Sequence, residues 1–252
     1  MTEYLVFRLY APLASWGEAA VGESRPTATY PGRGAIIGLL GAALGVRRED
    51  DEGQRQLRDS VGIAIKQRSP GGLLRDYHTV QVPASQSKVT YRTRRDELSA
   101  PRKVINTILS SRDYRCDGLW TVAVWLTPQA ELSLVDLEQA LKRPQFPLYL
   151  GRKACPPGAP LAPRREMFAQ LRHALDTDFP PLCGKGQEEE ERRVLRLPDS
   201  AIYAWEGDAA ALDGNGKGVE SSEVWDVPLN RRRWQFGPRS EYRRIVQARE
   251  DG

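Results

Sequence analysis

The spacing of hydrophobic and polar residues predicts six regular elements in the first 150 residues of the chain. Segments rich in aromatic and β-branched residues, partly alternating with polar ones, predict strands. Apolar residues that recur every three or four positions predict helices. In chain order the predicted elements are a strand in YLVFRLYAPL (4–13), a helix over 33–46, a polar helix over 53–60, strands in VGIAIKQR (61–68) and LWTVAVWLT (119–127), and a helix in LSLVDLEQALKR (132–143).

A long excursion interrupts this pattern between the second and third predicted strands. From residue 70 to residue 117 the apolar periodicity fades, and basic and turn-forming residues dominate. The resulting order is strand, helix, strand, excursion, strand and helix. This order resembles a ferredoxin-like fold with a large insertion, and it predicts an α+β protein.

The character of the sequence changes after residue 155. Proline and charged residues are frequent from 156 to 200, and the strands predicted beyond them are short. These are IYAW (202–205), EVWDV (223–227) and YRRIVQA (242–248). KGQEEEE and DGNGKG are typical of exposed turns or partly disordered loops. We therefore predict two domains, residues 1–155 and a smaller, mostly β region over 156–252.

The predicted helix over 33–46 contains an unusual number of glycines. Small residues share one of its faces: Gly34, Gly38, Gly41, Ala42 and Gly45. Each glycine costs a helix about 1 kcal/mol relative to alanine. A face without side chains lets another backbone approach, either a packed sheet or a ligand chain. The free N–H groups at the helix start, beside Arg25 and Arg33, would suit a phosphate. Tight helix–sheet packing with incidental arginines is the alternative.

Composition excludes several classes of protein. With 252 residues, 40% hydrophobic and 28% charged, the chain is long enough to bury a sizeable core. Glu3 and Arg8 interrupt the first apolar run, so no signal peptide is predicted, and no apolar window is long enough to span a membrane. Three cysteines, far apart, argue against a disulfide framework. We expect a cytoplasmic protein that does not bind a membrane.

Motifs for nucleotide, metal or hydrolytic chemistry are absent from the sequence. No P-loop is present, and GRGAIIG has one residue too many between its last glycines to match the dinucleotide-binding motif. Only His78, His173 and three scattered cysteines are available for zinc, and no G-x-S-x-G elbow occurs. The sequence therefore predicts no metal, no cofactor and no catalytic residues.

Positive charge is concentrated in one part of the chain. The net charge is +4, but residues 66–115 hold eleven Lys and Arg against four Asp and Glu. Within SKVTYRTRRDELSAPRKVINTILSSRDYRCDG, basic residues alternate with Tyr91 and Tyr114. Cations neutralise phosphates, and aromatic rings and guanidinium planes stack on unpaired bases, which suits single-stranded RNA. A solvated, mobile charged loop remains the alternative.

Four segments, in order and spacing, resemble one known family. They are WGEAAVGESRPTATYPGRGAIIGLLGAALGV, LRDYHTV, CDGLWTVAVWLTP and YLGRKACP. They are similar to the CasD subunit family of the type I-E CRISPR surveillance complex, Cascade, in the fifth Cas protein family of the RAMP superfamily. The resemblance covers residues 1 to about 156. Beyond it, only RRRWQFGPRSEY (231–242) is faintly similar to the family's tail.

The resemblance implies a more detailed fold and a site. The expected fold is a ferredoxin-like (RRM-like) domain with a long thumb-like β-hairpin insertion at about 77–117, plus a smaller, mostly β C-terminal part. In this family the domain grips the 5′ handle of the CRISPR RNA, and the thumb packs against the neighbouring backbone subunit. By position, the family's handle-contacting arginine corresponds to Arg112, and the arginine of its RPT motif corresponds to Arg25.

The resemblance also implies a function and partners. The chain is expected to be a non-catalytic RNA-binding subunit that caps the backbone filament of Cascade in antiviral defence. Its partners would be the CRISPR RNA, the backbone subunit and the large subunit, with target DNA reached through the complex. The candidate RNA-binding residues are Arg25, Tyr30, Arg33, Tyr77, His78, Arg92, Arg94, Arg95, Arg112, Tyr114, Arg152 and Lys153.

A catalytic branch of the family supplies an alternative function. Subtype I-C relatives cut the repeat RNA without metal, using a tyrosine, a lysine and a histidine. Here His78, with Tyr77 beside it, is the only histidine near the basic segment, and it lacks an adjacent lysine. Cleavage would need a base for the 2′-hydroxyl and an acid for the leaving oxygen. The alternative is a metal-independent endoribonuclease that processes CRISPR repeat RNA.

Overall fold

One large sheet organises the chain. The computed structural model describes residues 1–18, 20, 22–85 and 89–247, and in these ranges nine strands belong to the same sheet. The strands are β1 (Thr2–Ala14), β2 (Ser24–Arg25), β3 (Val61–Ser69), β4 (Gly72–Pro83), β5 (Ile105–Leu126), β6 (Arg164–Phe168), β7 (Ser200–Trp205), β8 (Glu220–Asn230) and β9 (Gln235–Gln247). Every strand predicted from the hydrophobic pattern is present; Ala248 of the last one lies outside the described residues.

Six α-helices accompany the sheet in the described ranges. They are α1 (Arg33–Leu44), α2 (Asp51–Ser60), α3 (Arg94–Leu98), α4 (Leu134–Lys142), α5 (Leu171–Leu175) and α6 (Glu188–Val194). The three predicted helices are confirmed, and α4 begins at Ser133, whose hydroxyl accepts a hydrogen bond from the Asp136 N–H. None of these helices has the length and apolar character needed to cross a membrane.

The sheet is antiparallel with one parallel addition. Its strand order is β6-β1-β5-β3-β7-β9-β8, and β2 and β4 both pair with the outer part of β5. All ladders are antiparallel except the short pairing of β2 with β5. The result is an α+β protein built on a large, mainly antiparallel sheet.

Side chains that point alternately to the two faces of the sheet form two cores, one on each face. One face buries side chains such as Phe7, Ile63 and Val122 against α1 and α4. The opposite face packs Tyr4, Ala123 and Trp205 against α5. Because successive residues of a strand point to opposite faces, one hydrophobic strand can serve both cores. We call the first side the helix face.

The small-residue face of α1 packs against the β8–β9 hairpin. A Cβ on Gly34 would lie 2.8 Å from the backbone oxygen of Asp226 and 3.3 Å from the Phe236 ring. A Cβ on Gly38 would meet the Arg231 guanidinium at 3.3 Å, and one on Gly41 would reach only the Leu57 side chain, at 3.4 Å. The close approach of a second backbone is therefore concentrated at Gly34.

The long excursion of the sequence contains a projecting two-stranded arm. Strands β4 and β5 pair from Gly72 with Cys116 out to Pro83 with Ile105, and α3 lies in the connection between them. We call residues 72–116 the arm; its residues 86–88, including Lys88, lie outside the described residues. No described residue from 77 to 112 is buried. The arm from residue 77 to residue 112 therefore lies outside both cores, while Tyr114 at its base belongs to the core on the side of α1 and α4.

The strands after residue 155 extend the sheet rather than form a separate one. β6 pairs with β1, and β7 pairs with β3 through register partners such as Trp205 and Ala64. The glycine-rich segment 213–218 is a turn, as predicted. The expectation of a turn or loop at 185–191 is wrong from residue 188 onward, because α6 begins there. The buried carboxylate of Glu191 accepts a hydrogen bond from the Leu182 N–H at 2.6 Å.

Candidate nucleic-acid interface

Two arginines lie side by side at the base of the arm. Arg25 of β2 and Arg112 of β5 are register partners in the parallel pairing, and Asp76 of β4 is the partner of Arg112 on its other side. Register partners in neighbouring strands carry their side chains on the same face of a sheet. Both arginines are exposed, and the Arg112 side chain has no hydrogen bond or ion pair with any described residue. Arg25 Nη1 donates to the backbone oxygens of Gly22 and Ser24, at 2.5 and 2.9 Å. A row of arginines on neighbouring strands suits a phosphate.

Arg152 adds a third guanidinium to this row. Its Nη2 donates a hydrogen bond to the backbone oxygen of Arg25 at 3.3 Å, and its Cζ lies 4.6 Å from the centre of the Tyr114 ring. Its Nη1 is shielded from solvent yet donates to no described residue. A shielded donor without an acceptor usually signals a missing partner. Lys153, next along the chain, is exposed and unpaired among the described residues.

A tight turn fixes the position of Arg152. Gly151 has φ of 88°, and a Cβ there would lie only 1.7 Å from the backbone oxygen of Ser15. Only glycine adopts this conformation and tolerates this approach at little cost. The turn is closed by a hydrogen bond from the Leu150 N–H to the Cys155 oxygen, at 2.7 Å. The glycine of YLGRKACP thus places the arginine that follows it.

One negative charge beside these arginines, that of Asp113, is already neutralised. The Arg75 guanidinium donates two hydrogen bonds to the Asp113 carboxylate, at 2.8 and 2.9 Å. These bonds, and the nearby charges of Arg115 and Arg152, hold the pKa of Asp113 below its usual range against the opposing effect of burial. Asp113 therefore stays ionised and leaves the guanidinium row with a surplus of positive charge. We call Arg25, Arg112, Tyr114, Arg152 and Lys153 the arginine cluster.

The other predicted arginines lie towards the far end of the arm. From the Asp76–Arg112 pair to the Pro83–Ile105 pair the ladder extends roughly 20 Å at the usual strand rise. Arg94 begins α3 and is engaged by Glu97 and by the Gln81 backbone oxygen. The side chains of Arg92 and Arg95 are exposed and have no partner among the described residues. The structure thus separates them from the arginine cluster.

Tyr77 and His78 lie on opposite faces of the arm, because they are consecutive residues of β4. Tyr77 is 64% exposed. His78 Nε2 lies 3.0 Å from a carboxylate oxygen of Asp76, but neither ring nitrogen makes a hydrogen bond to a described residue. The two side chains do not converge on one reactive position.

Arg33 is placed inside the protein, which corrects the expectation of an exposed contact. It is 8% exposed and forms an ion pair with Glu206. Its guanidinium also donates hydrogen bonds to the backbone oxygens of Arg58 and Val61, at 2.6 and 2.9 Å. Burial raises the pKa of Glu206, and the charge of Arg33 opposes that shift. We therefore assign Arg33 a structural role.

The start of α1 and Tyr30 are also engaged by protein groups. The Arg33 backbone N–H donates a hydrogen bond to the Asp226 carboxylate at 2.5 Å, so an internal anion occupies the position expected for a phosphate. The Tyr30 hydroxyl donates to Glu241 at 2.6 Å, and burial raises its pKa. Arg239 bridges Asp226 and Glu241. This network joins α1 to the β8–β9 hairpin.

Comparison with known proteins identifies the family. A family model described as "CRISPR-associated protein (Cas_Cas5)" matches residues 4–242. The chain belongs to this CRISPR-associated family. The Cascade subunit CasD of Escherichia coli (strain K12) is 37% identical over 169 residues, which cover 64% of this chain and 70% of that protein.

Two solved structures support the same relationship. One, described as a CRISPR RNA-guided surveillance complex, gives a TM-score of 0.63 at 25% identity over 97% of this chain and 89% of the other. The second, described as the crystal structure of a Cas protein, gives 0.62 at 26% identity over 97% and 95%. The α+β architecture is thus shared with structures of Cas proteins over nearly the whole chain.

The residue of this site most easily missed from the sequence is Arg75. It lies in LRDYHTV, where nothing distinguishes it from other basic residues. Only the β4–β5 register, which makes Asp113 its partner, reveals that it neutralises the carboxylate beside the cluster. Across the described ranges no three His, Cys, Asp or Glu side chains are grouped as metal ligands would be.

Proposed function

We propose that this chain is an RNA-binding subunit of a type I-E CRISPR surveillance complex, where it holds the 5′ handle of the CRISPR RNA and caps the backbone filament. Family membership supports this, as does the relative named as the Cascade subunit CasD. The similar structure of an RNA-guided surveillance complex is further support. A cytoplasmic complex acting in antiviral defence is the expected setting.

The observation that carries the proposal is the arginine cluster. Arg25 and Arg112 come from strands far apart in sequence, yet they are register partners. Arg152 stacks on Tyr114 and keeps one donor unused. Guanidinium groups bind phosphate in a fork geometry and stack on bases, so such a cluster suits the backbone and unpaired bases of a single RNA strand.

We extend the proposal to the fold and its parts. The succession β1, α1, β3, β5, α4 and β6, with both helices on one face, supports a ferredoxin-like (RRM-like) domain. The arm would be the thumb. Its exposed cross-strand pair Val80 and Ile108 supports burial against a neighbouring backbone subunit. Residues 1–155 would hold the RNA, and 156–252 would brace the sheet.

The subunit is proposed to be non-catalytic. Metal-free cleavage needs an acid and a base that both reach the reacting 2′-hydroxyl and leaving oxygen. Tyr77 and His78 lie on opposite faces of β4, and neither β4 nor β5 contains a lysine. These features do not favour the ribonuclease alternative.

Binding of labelled handle RNA tests the proposal. We expect the Arg25→Ala/Arg112→Ala variant to bind it at least tenfold more weakly than the unmodified chain, with an unchanged melting temperature. Arg193→Ala is the matched control, because Arg193 is an exposed arginine paired with Glu190 on α6. Equal binding by all three proteins would refute the site. Incubation with repeat RNA in EDTA tests the alternative, since a defined cut would identify a nuclease.

A further inference from the structure

Trp234 has an unusual backbone conformation and an exposed ring. It lies in the turn between β8 and β9 with φ of 56°, and 59% of the residue is exposed. Bulky residues rarely adopt positive φ, and such strain, of order 1–3 kcal/mol, tends to persist where it has a role. Glycine or asparagine is the usual choice at such a turn position. An exposed indole in this place therefore needs an explanation.

The indole is held rigidly by its neighbours. The Phe236 ring meets it edge-on, with centroids 5.7 Å apart and an interplanar angle of 85°. The Arg48 guanidinium lies 5.0 Å from the indole centroid, and that of Arg231 lies 6.0 Å away. Arg231 is anchored in turn by a hydrogen bond to the Gly34 backbone oxygen at 2.7 Å. The ring is fixed in place while more than half of the residue faces solvent.

Positive charge surrounds this ring. Arg47 and Arg233 have no hydrogen bond or ion pair from their side chains to any described residue. Arg232 lies 3.8 Å from Asp51 and donates to the Glu49 backbone oxygen. The Trp234 surface comprises Arg47, Arg48, Arg231, Arg232, Arg233 and Trp234. The acidic residues nearby in sequence are Glu49, Asp50, Asp51 and Glu52. Glu52 is paired with Arg55, so five arginines stand against three other carboxylates.

We propose that the Trp234 surface is a second binding site for single-stranded nucleic acid, separate from the arginine cluster. An unpaired base would stack on the exposed indole, and flanking phosphates would contact Arg47 and Arg233. A rigid aromatic ring between free arginines is the arrangement that binds single strands without sequence preference. In the sheet order, β8 lies four positions from β5, so the two sites are built on different strands.

The proposal favours nucleic acid over a protein partner because of the charge. Trp225 and Leu229 of β8 are also exposed, at 65% and 55%. Trp225, however, donates to Glu223 and has no guanidinium against its ring in the described ranges. The strained tryptophan is the one that lies among unpaired arginines. A surface that only buried apolar groups against a protein partner would not need these arginines.

The test uses a full chain in which Arg25→Ala and Arg112→Ala have already silenced the arginine cluster. Fluorescence anisotropy measures its affinity for 12-nucleotide oligouridine RNA and oligothymidine DNA. Comparing the two affinities shows whether ribose or deoxyribose is preferred. We expect Trp234→Gly to weaken binding by roughly 5- to 100-fold, the range for loss of one stacked base. Its melting temperature should not fall, because glycine relieves the positive φ. Trp225→Ala should bind within twofold of the parent.

A second variant and a mapping experiment keep the test decisive if Trp234→Gly folds poorly. The Arg233 side chain is exposed and has no hydrogen bond or ion pair with a described residue. Arg233→Glu should therefore fold normally and bind less tightly, with a shallower dependence on salt. Oligonucleotides carrying 5-iodouracil should crosslink to residues 231–236. Unchanged affinity in Arg233→Glu, or crosslinks confined to the arm, would overturn the proposal. Loss of subunit co-purification with unchanged oligonucleotide binding would also overturn it and identify a protein contact.

Discussion

Arg25 and Arg112 are 87 residues apart in sequence and adjacent in the sheet, as register partners of its parallel ladder. Like charges on neighbouring strands repel, by an amount comparable to other cross-strand pairs. No carboxylate separates them, since Asp76 lies on the far side of Arg112. An arrangement that costs free energy in the isolated chain is relieved when an anion binds between the two guanidinium groups. This is the physical case for a phosphate at this place.

We expect the two arginines to act together, as residues that bind one phosphate between them. A double-mutant cycle of Arg25→Ala and Arg112→Ala, measured with handle RNA, should give single losses of about 1–3 kcal/mol. The double variant should lose less than their sum, by about 0.5 kcal/mol or more, as for residues that share a partner. Strict additivity would mean that they contact separate phosphates.

Replacing Arg33 should lower the stability of the protein rather than its affinity for RNA. Replacing it with methionine leaves the Glu206 carboxylate buried without its partner, which costs about 3–5 kcal/mol in comparable ion pairs. Urea unfolding should show this loss. Arg33→Met/Glu206→Gln should recover much of it, since glutamine still accepts from the Ile63 N–H. Arg25→Ala is the control and should change stability by less than about 0.5 kcal/mol. A stable Arg33→Met would return Arg33 to the candidate RNA contacts.

The contrast between Arg25 and Arg33 shows where sequence information ends. The buried strands and helices α1 and α4 follow from their apolar residues, because these residues pack in the two cores. Strand β4 and the outer part of β5 carry no such signal, because both faces of the arm are exposed and neither selects for apolar residues. The two arginines look alike in sequence, and what distinguishes them is Glu206, 173 residues beyond Arg33.

Two glycines of α1 should respond differently to alanine. At Gly34 a Cβ would lie 2.8 Å from a backbone oxygen of β8, which cannot move as a side chain can. Gly34→Ala should therefore destabilise the protein, by about 1–3 kcal/mol. At Gly41 the nearest neighbour is a flexible leucine at 3.4 Å, so Gly41→Ala should gain up to about 1 kcal/mol of helix propensity. Equal melting temperatures for the two variants would show that the helix does not press on the hairpin.

Asp113 should make stability depend on pH. Hydrogen bonds from Arg75 lower its pKa in the folded chain, so its contribution is present above the unfolded value of about 4 and is lost as the pH falls through the folded one. Arg75→Gln should reduce the free energy of unfolding at pH 7 slightly, because the Arg75 side chain is exposed. The difference from the parent should shrink towards pH 3. Arg193→Gln, at an exposed pair, is the control. If the difference in free energy of unfolding between Arg75→Gln and the parent does not vary with pH, Asp113 is not its cause.

The arm should be dispensable for folding and required for assembly. Thr79 and Leu109 are register partners, so residues 80–108 can be replaced by an Asn-Gly turn that closes the shortened ladder. None of the replaced residues that the structure describes is buried, and both cores lie elsewhere, so the melting temperature should change little.

Assembly should nevertheless fail, since the shortened chain lacks the exposed Val80–Ile108 pair and the free cations Arg92 and Arg95. Co-purification with CRISPR RNA and partner subunits measures this loss. The Arg92→Ala/Arg95→Ala variant keeps the arm intact and removes only the two cations. Partial assembly by this variant would mean that the apolar pair contributes more to assembly than the cations do. Normal assembly by the shortened chain would refute the role of the arm. An unfolded shortened chain would mean that the arm supports the sheet from outside its cores.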